Sequence, residues 1–128
     1  MDTVIKEDRM VQADKIGEQL YGRNWRRIKK TLADLDSDYA KFIVEVPYGS
    51  VYPRSGLSLD QRELIAVTAL TCLGLKEQLK SHLLAALKIG IPFHSLIEVF
   101  IHLSMFIGFP QAMEGLKVMK EIKEEKGL

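Results

Sequence analysis

An all-α fold follows from three features of this 128-residue chain. Apolar residues recur at helical spacing nearly throughout, glycines and prolines punctuate that pattern at helix-length intervals, and no stretch alternates as a half-buried strand would. The closest approach to a strand, Phe42 to Val46, continues a helical pattern begun at Tyr39. An opening helix is predicted from about Thr3 to Leu20. Gly22 then precedes a short second helix carrying Trp25, Ile28 and Leu32. Ser37 is placed to cap a third helix that presents Tyr39, Phe42, Ile43 and Val46, and Pro47 with Gly49 should bring it toward its end. From Tyr48 to Leu57, two glycines, Pro53 and Arg54 predict an ordered loop. Ser58 caps a strongly apolar helix to Leu73, and Gly74 turns the chain into a helix from about Lys76 to Ile89. Gly90 ends that helix as a residue just beyond its C-cap. Pro92 starts a further apolar helix to Ile107, Gly108 stops it, and Pro110 suits the first turn of a last helix reaching about Lys126.

Composition sets bounds on function. The size fits one domain over residues 1–128 with a core of its own. With 18 basic and 17 acidic residues, the net charge of +1 gives no global pull toward nucleic acid or an anionic membrane. The one basic cluster, Arg23, Arg26, Arg27, Lys29 and Lys30 around Trp25, reads as the solvated face of an amphipathic helix or as a subunit contact, ahead of a nucleic-acid role. Glu98 and His102 divide the longest apolar stretch, so no run reaches the roughly 18 residues of a membrane span. The lone Cys72 cannot form an internal disulfide, and its expected place is as a small buried residue of a packed helix. The start Met-Asp-Thr lacks the regions of a signal peptide, so a cytoplasmic location is expected.

Two ionisable residues interrupt apolar stripes. Leu59, Glu63, Ala66, Val67 and Leu70 share one helix face, and so do Leu75, Leu79, His82, Leu83 and Ala86 in the next segment. If the segments fold back about Gly74, Glu63 lies 11 residues before the turn and His82 lies 8 after it. At about 1.5 Å per residue their heights then differ by about one helical turn. An acid and an imidazole facing each other in an apolar setting make a candidate site, because an unpaired buried charge costs several kcal/mol and normally finds a partner. A lone histidine on an apolar face is often only a hydrogen-bonded core residue, and Glu63 could serve as a structural ion-pair partner. His102 lies one turn after Glu98, which an ordinary i, i+4 pair explains, although it could also reach the same pocket. No Gly-rich phosphate loop and no histidine and carboxylate cluster at metal spacing occurs, so neither a metal nor an organic cofactor is expected.

The stretch Tyr48-Gly49-Ser50-Val51-Tyr52-Pro53-Arg54-Ser55-Gly56-Leu57 followed by Arg62-Glu63-Leu64-Ile65 resembles the carboxymuconolactone decarboxylase family. The blocks Glu77-Gln78-Leu79-Lys80-Ser81-His82 and Glu98-Val99-Phe100-Ile101-His102-Leu103, and the run Gly108-Phe109-Pro110-Gln111-Ala112, resemble it in the same order. The likeness extends over about 22–120. It implies an all-α AhpD-like helical bundle with antiparallel central helices, assembled as trimers or hexamers, with its site near Glu63 and His82.

That family resemblance holds two chemistries, separated by cysteines. The AhpD-like peroxidases carry a Cys-x-x-Cys pair between the glutamate and the histidine; here those positions are Leu75 and Gln78. Peroxide reduction by that route needs an attacking thiolate and a resolving thiol, and Cys72 alone supplies no such pair. The remaining pattern is that of the γ-carboxymuconolactone decarboxylases, for which the resemblance implies His82 as proton donor and Glu63 as its orienting acid. Arg54, Gln78 and His102 are then the candidates for holding substrate, with Arg54 offering a carboxylate a planar two-point match. The expected partners are a small carboxylate or lactone and further copies of the chain. A thiol-dependent redox protein and a non-enzymatic, ligand-binding helical oligomer are the alternative readings.

Overall fold

The structure, a computed structural model, describes residues 6–128, with side chains from Asp8 onward. The order is α1 (Lys6–Tyr21), α2 (Asn24–Leu35), α3 (Ser37–Ile43), a π-helical segment (Val44–Val51), α4 (Leu59–Leu73), α5 (Lys76–Lys88), α6 (Phe93–Ile107) and α7 (Phe109–Lys126). Among the described residues there is no strand, and no helix is long and apolar enough to cross a membrane. The chain divides into two compact units, one ending at Ser58 and the other running from Leu59 to Leu128. The expected start of the first helix at Thr3 lies outside the described residues.

In the first unit, α1 packs on α2 and on the π-helical segment, and α3 packs on α2. Tyr21, Trp25 and Tyr48 are buried together, with the Tyr21 and Tyr48 hydroxyls 2.7 Å apart. The Trp25 indole donates to Asp14 Oδ1 at 2.8 Å, and Lys29 reaches the same oxygen at 2.9 Å. Burial pushes the Asp14 carboxyl up, but the hydrogen bonds from Trp25 and Lys29 outweigh it and leave the group below its ordinary value. Arg23, Arg26, Arg27 and Lys30 are exposed, as a solvated helix face requires.

Two local expectations need correction here. Asp36 caps α3 instead of Ser37, its Oδ2 accepting the Tyr39 N–H at 2.8 Å. Pro47 does not bring the helix to its end. Lacking an N–H and crowding the carbonyl four residues back, a proline cannot continue an α-helix, and the backbone widens into π-helical geometry instead. The Pro47 carbonyl then accepts the N–H of Tyr52, five residues on, at 2.8 Å, so the loop begins only after Val51.

The second unit places Glu63 and His82. α4 packs on α5, α6 and α7, and α7 also packs on α5 and α6. Its core joins Val67, Leu79, Leu83, Leu96, Phe100, Met119 and Ile122. α4 ends in a Schellman motif: the Leu75 N–H reaches the Leu70 carbonyl at 3.1 Å and the Gly74 N–H reaches Thr71 at 3.2 Å. This motif needs a left-handed residue just past the helix, and Gly74, at φ +73°, adopts that conformation without a Cβ penalty. The chain therefore reverses within two residues, and α5 runs back along α4.

Candidate active site

Reversal at Gly74 brings the two interrupting residues together. His82 Nδ1 lies 2.8 Å from Glu63 Oε1, a hydrogen bond between α5 and α4. Glu63 is fully buried, whereas the His82 side chain keeps 17% of its surface exposed. That difference assigns geometry to the pair: the carboxylate is sealed in, and the imidazole forms the face that can meet another molecule. With Glu63 ionised, the ring carries its proton on Nδ1 and donates it to the carboxylate. The basic nitrogen is then Nε2.

The buried face of α4 is Glu63, Val67 and Thr71, at spacings of four. Glu63 and Val67 belong to the expected stripe. Thr71 was not expected there, and its hydroxyl is satisfied within the helix by donating to the Val67 carbonyl at 2.6 Å. This rotation corrects the placement of Cys72. The thiol is exposed, since one residue beyond Thr71 the helix has turned about 100° away from the core. On α5 the buried residues are Leu79, Leu83, Ala85 and Ala86, and Leu75 stands out at 45% exposure.

The remaining sequence candidates lie as follows. Gln78 is exposed on α5 one turn before His82, so the two side chains share a helix face. His102 is exposed on α6, its ring 5.3 Å from that of Phe106. Arg54 is exposed in the first unit, just after the π-helical segment, its N–H donating to the Val51 carbonyl at 3.1 Å. His94 is exposed near the start of α6.

Sequence reasoning missed the contacts that tie the turn to α7. Gln111 Nε2 donates to the Thr71 carbonyl at 2.8 Å, and Lys76 forms an ion pair with Glu114. Lys80 bridges Glu121 and Glu125 at 2.9 and 2.8 Å. Lysines four apart on α5, set against glutamates on the last helix, are a complementary charge pattern from which this pairing was readable.

Helices in this order, with an acid on one arm of an antiparallel hairpin and an imidazole on the other, have the all-α AhpD-like fold. The family model described as the carboxymuconolactone decarboxylase family matches residues 37–121. The chain belongs to that family. The 4-carboxymuconolactone decarboxylase of Acinetobacter baylyi is 27% identical to it over 123 residues, which cover 96% of this chain and 89% of that protein.

Proposed function

We propose that this protein is a cofactor-independent carboxy-lyase acting on a small carboxylated lactone, in the manner of 4-carboxymuconolactone decarboxylase. The observation that carries the reading is the 2.8 Å contact between His82 Nδ1 and Glu63 Oε1 in a family member with Leu75 and Gln78 where the redox relatives resembled by the sequence have thiols. In such a lactone the departing carboxylate sits on a ring carbon conjugated through a double bond to the lactone carbonyl. The carbon–carboxylate bond breaks, CO₂ leaves, and the electron pair flows through the double bond onto the carbonyl oxygen as an enolate. A proton then adds to carbon. His82 delivers that proton, and Glu63 fixes the ring's tautomer and orientation. Gln78, on the His82 face, and His102 contact the substrate, and Arg54, of this chain or of a neighbouring copy, is the candidate for holding a carboxylate. The family match crosses the boundary between the two compact units, which supports reading residues 1–128 as one functional domain.

The test is direct. Purified protein incubated with 4-carboxymuconolactone, with no added metal or cofactor, should release CO₂ and the enol-lactone at about 1 s⁻¹ or faster. A correctly folded sample that turns over neither this compound nor related carboxylated lactones would overturn the reading.

Self-association belongs to the same proposal. Ile101, Met105 and Phe106 on α6, with Phe109 and Met113 on α7, are each at least half exposed in the single chain. Clustered apolar surface of this kind favours association at about 25 cal/mol per Å² buried. Light scattering at micromolar concentration should give the mass of a trimer or hexamer, and Ile101→Glu should shift it toward the monomer. A monomeric wild type would refute the assembly.

A further inference from the structure

One face of α7 grips the α4–α5 hairpin through polar side chains. Gln111, Glu114, Glu121 and Glu125 are spaced three, seven and four residues apart, so they line that face. Gln111 bonds the Thr71 carbonyl, which lies in the last turn of α4 and also accepts the Gly74 N–H. Glu114 pairs with Lys76, the first residue of α5, and with Lys117 at 3.0 Å. Hydrogen bonds from Lys76 and then Lys117 hold its carboxyl down at about 2, so it stays ionised well into the acid range.

Apolar packing is thin at the same place. A partly open cleft of about 240 Å³ is lined by Leu70, Thr71, Leu79, Gln111, Glu114 and Gly115. Where a cleft takes the place of packed side chains, fewer dispersion contacts hold the turn, and its directional bonds matter more to its register. That register decides the site. Glu63 and Thr71 lie on one face of α4, and Leu79 and His82 are one turn apart on α5. Sliding one arm along the other by a single residue moves it about 1.5 Å, more than a 2.8 Å hydrogen bond tolerates.

We propose that Gln111 and Glu114 are positioning residues, which lock the turn at Gly74 from α7 and thereby hold His82 against Glu63. Only the kinetic part of this inference rests on the decarboxylase reading. Long-range ¹H–¹⁵N spectra of the full chain report on the His82 ring directly. In Gln111→Leu and in Glu114→Gln, the His82 Nδ1 resonance should move toward its position in Glu63→Gln. Ile122→Val, an apolar change in the core face of α7, should leave it in place. In the decarboxylation assay both positioning variants should lose about tenfold or more in kcat with KM nearly unchanged, as misplacement of a reacting group does. If Gln111→Leu and Glu114→Gln both keep the wild-type Nδ1 resonance while Glu63→Gln displaces it, the proposal fails. Shifted resonances in the two variants, with a wild type that turns over no lactone, would overturn the decarboxylase reading and uphold the positioning role.

Discussion

Replacing His82 with glutamine should lower lactone turnover by about 10²- to 10⁴-fold, the range that a positioned general acid contributes. Glutamine is close in size and can still hydrogen-bond Glu63, but it cannot deliver a proton. The loss should therefore fall on kcat, with substrate binding largely kept. The fold should survive, because the imidazole sits partly at the surface while the fully buried group is Glu63. Replacing Glu63 itself is a different experiment. Glu63→Gln keeps the shape but can turn an amide N–H toward His82 Nδ1, so the ring's tautomer and orientation are no longer fixed. A smaller kinetic loss is expected. Steady-state rates with 4-carboxymuconolactone measure both variants. If His82→Gln retains wild-type kcat, the histidine is a structural partner of Glu63, and the proton comes from elsewhere.

The pairing of Glu63 with His82 was legible because the two helix faces and the turn that bring the residues opposite each other are local features. Helical periodicity fixes which way each side chain points, and a glycine at the turn fixes how far each lies from the reversal. The boundaries of α5, α6 and α7 were readable for the same reason, since Gly90, Gly108 and Pro110 act on neighbouring residues. Rotation of a helix is harder to read. α4 is apolar on more than one face, so nothing in its pattern distinguished Thr71, which is buried, from Cys72, which is exposed. The π-helical stretch at Pro47 escaped because a proline announces only that the α-helix cannot continue, and not what the backbone does instead. The contact of Gln111 with Thr71, unlike the lysine–glutamate pairs, was beyond sequence reasoning of this kind: the two residues are 40 apart, and their meeting depends on how the helices pack.

Phe100→Ala should destabilise the protein by about 3–5 kcal/mol, the usual cost of emptying a large core position. That is a large part of the 5–15 kcal/mol that holds a typical domain folded, and it should lower the thermal midpoint by roughly 10–20 °C. Phe100 is completely buried in the core with Leu83, Leu96 and Met119, and its ring lies directly over Gly115 of α7. A Cβ on residue 115 would overlap that ring, so the glycine is there to let α6 and α7 approach. Gly115→Ala should accordingly cost about 1–3 kcal/mol through overpacking, even though alanine is the better helix former. These two effects have opposite signs in volume, which makes their combination diagnostic. In Phe100→Ala/Gly115→Ala the added methyl enters space that the ring has left, so the double variant should be more stable than the sum of the single changes by about 0.5–3 kcal/mol. Urea unfolding of the four proteins measures the coupling. Additivity within about 0.5 kcal/mol would show that the glycine is not set by the ring and that α7 is spaced from α6 by other contacts.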